Sequence, residues 1–196
     1  MKTTNARCTI LGLLLAFAAA APVASHAMEV RPMAKLGFDF GGDTLVTAVF
    51  TDGSSQSVKA NEGIYLGGGV SIVPGWYDMV IELSIAWKWT GVTAENGEIN
   101  WTRYPLEALV FHRVQQFRFG GGLTYHINPK LDGSGVVGGL NVKFKDALGF
   151  ILQADYVIWK GLAAGLRYTS IDYEVADGSA PKAKSNGAGI TASWSF

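Results

Sequence analysis

Hydrophobic residues recur at every second position in eight stretches of the chain. Leu36, Phe38 and Phe40 alternate with Lys35, Gly37 and Asp39, and Ile64, Leu66, Val70 and Ile72 with Tyr65, Gly67, Gly69 and Ser71. The clearest run sets Met79, Ile81, Leu83, Ile85, Trp87 and Trp89 against Val80, Glu82, Ser84, Ala86 and Lys88. Tyr104, Leu106, Ala108 and Val110 oppose Arg103, Pro105, Glu107 and Leu109, and Phe117, Phe119, Leu123 and Tyr125 oppose Arg118, Gly120, Gly122 and Thr124. Phe150, Leu152, Ala154 and Tyr156 form a sixth apolar row, and Leu162, Ala164, Leu166 and Tyr168 a seventh. The eighth is Ala188, Ile190, Ala192, Trp194 and Phe196. A period of two marks a strand whose faces meet different surroundings, and helical spacing fits none of these runs as well. The pattern predicts an all-β protein with eight antiparallel strands.

The charges within these runs sort onto one side. Lys35, Asp39, Glu82, Lys88, Arg103, Glu107, Arg118, Asp155 and Arg167 all share the parity opposite the apolar rows. Alternation alone does not say which parity points inward. A soluble lipocalin-like barrel is apolar inside and crowds its outer face with charge, whereas here that parity holds about one ion per strand among Gly, Ser, Thr and Ala. Such a set suits a narrow interior in which five bases and four acids pair. The apolar parity carries Trp87, Trp89, Tyr104, Phe117, Tyr125, Tyr156, Tyr168, Trp194 and Phe196 near strand ends, with aliphatic residues between them. That is the layout of a lipid-facing belt, and a closed barrel leaves no unpaired backbone in hydrocarbon. A soluble β-sandwich or barrel is the competing architecture.

Connection lengths give a second test. Pro74-Gly75-Trp76, His112 to Gln116 and Trp159-Lys160-Gly161 are short, whereas Gly42 to Asn61, Thr90 to Asn100, Ile127 to Ala147 and Val175 to Asn186 are long. The order long, short, long, short, long, short, long is that of an up-and-down transmembrane β-barrel with both termini in the periplasm. Extra strand is expected in two of the long loops, at Thr44 to Phe50 with Gln56 to Lys59 and at Val136 to Phe144.

Composition then changes the picture at one end of the chain. Hydrophobic residues make up 48% and charged residues only 16% of 196, with mean hydropathy +0.20. Typical soluble domains carry roughly 25% charge. Part of the excess lies in the first 27 residues, where Lys2 and Arg7 precede an apolar stretch from Ile10 to Ala21 and then Ser25-His26-Ala27. This is the layout of a cleaved secretory signal, leaving a barrel domain at 28–196. Cys8, the one cysteine, falls within the leader, so the mature chain has no thiol for a disulfide, a metal site or a nucleophile. The formal net charge of +0 offers no footprint for nucleic acid.

With signal, strands and connections in place, the chain resembles the small Gram-negative outer-membrane barrels, the OmpA transmembrane domain and OmpX among them. The residues that carry the resemblance best are Ile190-Thr191-Ala192-Ser193-Trp194-Ser195-Phe196, an alternating strand closed by a terminal Phe. Gly165-Leu166-Arg167-Tyr168 and Ile171-Asp172-Tyr173 also look like penultimate strands of these proteins. The resemblance implies that Trp194 and Phe196 form an assembly signal read by the barrel-assembly machinery, and that the protein resides in the outer membrane among lipid and lipopolysaccharide.

Catalytic chemistry is harder to find. Gly67 to Gly69 and Gly120 to Gly122 sit inside strands, not before a helix, so they are spacers for long neighbours rather than a phosphate cradle. His112 and His126 have no partner at metal-binding spacing. A lipid A-modifying site at the rim would need His126 with Ser170 or Thr169 and Asp172 or Glu174, yet His126 and Ser170 have opposite parity. No cofactor, metal or nucleic-acid partner is expected. The sequence therefore favours a monomeric, non-enzymatic outer-membrane barrel with loops for envelope or surface interactions. A small-solute or hydrophobic-ligand channel and an outer-leaflet lipid A enzyme are the alternatives.

Overall fold

A computed structural model describes residues 28–50, 52–75, 78–178 and 180–196. The leader at residues 1–27 lies outside them, as do Thr51 in the first long connection and Trp76 in the first short one. The strands are β1 (Glu29–Gly41), β2 (Thr44–Val49), β3 (Ser55–Lys59), β4 (Gly63–Val73), β5 (Met79–Ala94) and β6 (Gly97–Val114). They continue with β7 (Phe117–Gly135), β8 (Asn141–Lys143), β9 (Ala147–Trp159), β10 (Leu162–Tyr173), β11 (Ala183–Lys184) and β12 (Gly187–Ser195). Eight of them pair in the ring β1-β4-β5-β6-β7-β9-β10-β12. The ring closes where β12 meets β1 antiparallel, from Met33 opposite Ser195 to Gly41 opposite Gly187. This is the eight-stranded antiparallel barrel that the alternation predicts, and closure removes the unpaired edges that an open sheet would expose.

The start of β1 and the end of β12 lie at one end of the barrel with the short connections, here the turn end. Two of these are two-residue turns, Gln115-Gln116 and Lys160-Gly161, helped by a positive φ at Gln115 (57°) and Gly161 (85°). The expected turn from His112 to Gln116 is thus shorter, because β6 runs on through Val114.

At the opposite, loop end the strands run further than the sequence suggests. Thr90 to Asn100 is not a loop: β5 and β6 continue to a turn at Glu95-Asn96, paired down to Ala94 opposite Gly97. β7 likewise continues to Gly135, and the extra strand expected from Val136 to Phe144 shrinks to β8. The expected hairpin in the first long loop is present as β2 and β3.

The reason lies in the pattern itself, which inverts at this rim. Along the inward face of β6 the order toward the turn end is Ile99, Trp101, Arg103, Pro105, Glu107, Leu109 and Phe111, all buried. In the barrel proper the outward positions are apolar and exposed, as at Leu66, Ile85, Leu152 and Leu166. In the extension the outward positions are Thr93, Glu98 and Asn100, while Val92, Ile99 and Trp101 turn inward. β7 reaches the new arrangement through a bulge. Asn128 takes a left-handed φ of 49° and the register with β6 shifts between Thr102 and Tyr104. The inward parity thereby moves from His126 to Pro129 and Leu131.

Inside the extension, Val58, Ala60, Val92, Ile99, Trp101, Leu131, Phe144, Ile171 and Tyr173 form one apolar core. Trp101 is its centre, with ring centroids 5.1 Å from Phe144 and 5.3 Å from Tyr173 and its indole N–H donating to the Ala60 carbonyl at 3.0 Å. A smaller apolar cluster of Val80, Leu109, Phe111 and Ile151 lies deeper in the barrel.

Candidate functional site: the ionic interior and the loop end

All nine charged residues on the polar parity are buried in the barrel interior. They form two groups, and no ion pair among the described residues joins them. Toward the turn end, Arg118 reaches the Glu82 carboxylate with Nη1 at 2.6 Å and that of Asp155 with Nε at 2.8 Å. Its Nη2 donates to the Ser193 hydroxyl at 2.8 Å, and the guanidinium stands 4.5 Å over the Phe111 ring. The barrel register explains part of this, since Arg118 on β7 is directly opposite Asp155 on β9. Gln153 adds a 3.0 Å bond to each Asp155 oxygen.

Toward the loop end, Lys35 Nζ and Arg167 Nη2 share the Glu107 carboxylate at 2.5 and 2.7 Å. Lys88 pairs with Asp39 at 2.5 Å and with the Asn61 amide oxygen at 3.2 Å. Arg167 also donates to the Tyr65 hydroxyl at 3.0 Å and lies 3.8 Å from Asp39. Arg103 differs: its Nη2 donates to the Glu62 carbonyl at 2.7 Å and its guanidinium covers the Trp101 ring at 5.0 Å. No carboxylate of the described residues lies within ion-pair distance of it.

Small residues make room for these side chains. A β-carbon on Gly37 would overlap the Tyr65 ring, and one on Gly189 would overlap the Asp39 carboxylate. Buried ion pairs repay their desolvation only with good geometry and further hydrogen bonds, which Tyr65, Asn61, Ser193 and Gln153 supply here. Of these, Tyr65, Gln153 and Ser193 fall on the polar parity of the sequence alternation. Asn61 lay in an expected loop, and its role has no local signal.

The candidate lipid A constellation does not assemble. His126 faces inward, fully buried, with Nδ1 2.5 Å from the Tyr173 hydroxyl. Ser170 lies on the other side of the wall and donates to Asn186 at 2.7 Å. Thr169 is buried and Asp172 is exposed on the outer face, while Glu174 pairs with Lys145. Among the described residues no group of three or more His, Cys, Asp or Glu is placed to hold a metal ion.

Above the ionic interior, the β2–β3 hairpin and the turn after β7 flank an apolar cavity of about 590 Å³, lined by Val46, Phe50, Val92, Ile99, Val137 and Leu140 among others. Short polar links tie down the segments around the loop end. A hydrogen bond from Lys145 and its positive charge hold the Glu174 carboxyl below its ordinary range, and the Ser54 hydroxyl and backbone N–H do the same for Asp52. Asp43 accepts from the Lys184 N–H at 2.8 Å, fastening the start of the first loop to β11.

No family model and no curated protein matches the chain. Solved structures do. Ail, the attachment invasion locus protein of Yersinia pestis, is similar at 13% identity with a TM-score of 0.52, over 85% of this chain and 96% of that one. Its complex with the heparin analogue sucrose octasulfate aligns equally well, over 98% of the Ail chain. Neisserial surface protein A is similar at 14% identity and TM-score 0.49, over 87% and 99% of the two chains. At these identities the likeness speaks for architecture. The chain has the fold of the small eight-stranded outer-membrane barrels.

Proposed function

We propose that this protein spans the bacterial outer membrane as a monomeric, non-enzymatic barrel, with both termini in the periplasm and the loop end displayed outside the cell for contacts with envelope or surface partners. The observation that carries this reading is the inversion of the wall. Over the barrel proper, apolar side chains face out and ions face in; beyond the rim, polar side chains face out and a Trp101-centred core fills the inside. One wall is thus matched to hydrocarbon and then to water along its length. The ionic interior and the apolar core above it support a structure closed to solutes, since eight strands leave an interior just wide enough for side chains. Lipid and lipopolysaccharide are the proposed neighbours of the belt, and Trp194 and Phe196 the proposed signal for the assembly machinery. The loop end carries more carboxylates than ammonium groups, with Asp52, Glu95, Glu98 and Asp132 among them. A cationic or neutral partner therefore suits it better than a polyanion.

The test uses single cysteines introduced at Asp52 and Gln115. A membrane-impermeant maleimide added to intact cells should label Asp52→Cys and not Gln115→Cys; the reverse result would invert the orientation, and labelling of neither in a folded, cell-associated protein would remove the surface role. Discrete conductance steps in planar bilayers would replace the closed-barrel reading with a channel. The hydrophobic-ligand alternative has one observation in its favour, the apolar cavity at the loop end.

A further inference from the structure

The two ionic groups are out of balance in opposite directions. On the loop side, four cations, Lys35, Lys88, Arg103 and Arg167, face two carboxylates, Asp39 and Glu107. On the turn side, Arg118 alone faces Glu82 and Asp155. The buried side-chain atoms that lack a hydrogen-bond partner divide in the same way. Those on the loop side are Arg103 Nε and Nη1, Arg167 Nε and the hydroxyls of Thr124, Thr169 and Ser185, all able to donate, with Asp39 Oδ1 the exception. Those on the turn side are the acceptors Glu82 Oε2 and Gln153 Oε1.

Arg103 is where the loop-side excess is most acute. It is fully buried, and an arginine cannot shed its proton to escape burial as a lysine or histidine can. A buried charge that stays charged needs a counter-charge, not only a carbonyl and an aromatic face. Close around it, Trp101 lies under the guanidinium and the Tyr173 hydroxyl, bonded to His126, interacts with both Arg103 and Ser185; the Asp39 and Glu62 carboxylates act on it only from beyond ion-pair distance. The nearest buried carboxylate, Asp39, is already bonded to Lys88 and close to Arg167.

We propose that the loop-side interior binds a small monovalent inorganic anion of the chloride class, held by the Nε and Nη1 donors of Arg103 with the Ser185 hydroxyl as a further donor. The bulk of Trp101, Tyr173 and His126, all fully buried, favours a single-atom ion over a polyatomic one. Such an ion is built into the interior and serves as the missing counter-charge of the loop-side group, independent of any partner at the loops.

Crystals of the detergent-solubilised protein grown in bromide test this directly. An anomalous peak in contact with the Arg103 guanidinium is the expected result; a water there, or bromide only on the outer surface, would overturn the proposal. In solution, chloride should raise the unfolding midpoint when gluconate keeps ionic strength constant, because a ligand bound to the folded state stabilises it by mass action. The rise should vanish in Arg103→Gln and persist in Lys130→Gln, whose side chain is half-exposed. A midpoint indifferent to chloride in the wild-type protein would also contradict the site, whether or not Arg103→Gln folds.

Discussion

Arg118 engages Glu82, Asp155 and Ser193 with three different nitrogens, so its removal leaves two buried carboxylates facing each other. Arg118→Met should therefore destabilise the barrel by about 3–5 kcal/mol, the cost of breaking a buried pair from one side. Adding Glu82→Gln should recover part of that loss; urea unfolding in detergent measures both. Steric fit can be tested with equal economy. Gly189→Val should drive Asp39 away from Lys88 and block folding, whereas Gly139→Ala, with nothing within 4 Å of an added β-carbon, should be silent. At the loop end the Glu174–Lys145 pair has a defined pH range. Because Lys145 lowers the Glu174 carboxyl below its ordinary 4.5, the pair is fully formed above that value and is lost as pH falls through the lowered one. Carboxyl NMR should show Glu174 titrating low in the wild-type protein and moving toward the ordinary range in Lys145→Ala, where Lys182 remains beside it.

Among the elements, the extensions of β5, β6 and β7 are the least expected and the most informative. Trp101→Ala should cost about 3–5 kcal/mol, as for other buried large aromatic residues, and should raise hydrogen exchange in β5–β6 beyond Thr90 while sparing the barrel proper. Exchange unchanged there would mean that the apolar core does not hold the extension. Asn128 is a second handle: Asn128→Gly keeps the left-handed φ that the bulge needs, whereas Asn128→Val opposes it. These same residues mark how far the sequence could be read. Eight strands, their faces and the short turns follow from period-two alternation, because the surroundings on the two sides of the wall differ over the whole barrel. Thr90–Asn100 reads as a loop in the sequence because Val92, Ile99 and Trp101 switch the apolar residues to the parity that carries charge lower down, so the pattern cancels at the crossover. Leu131 was hidden by the Asn128 bulge, which no local composition announces. The burial of the charges could be anticipated from parity, but their partners could not. Lys35 meets Glu107 from 72 positions away and Arg167 meets Tyr65 from 102, and such pairings depend on barrel stagger.

At the scale of the whole molecule, the low charge and high apolar content belong to a wall that meets two solvents in succession. The ions that remain are gathered into an interior where they pair with one another, and Trp101 and its neighbours close that interior toward the loops. Heat-modifiable migration on a gel is expected of a closed barrel, but it does not show what surrounds the wall. The direct measurement is collision of nitroxide labels with oxygen and with a polar nickel chelate in reconstituted bilayers. Labels at Leu66, Leu152 and Leu166 should meet oxygen freely and the chelate hardly at all, while labels at Thr93 and Glu98 should show the reverse. Equal access of the chelate to both sets would contradict the account, since it would place water, not lipid, against the apolar belt.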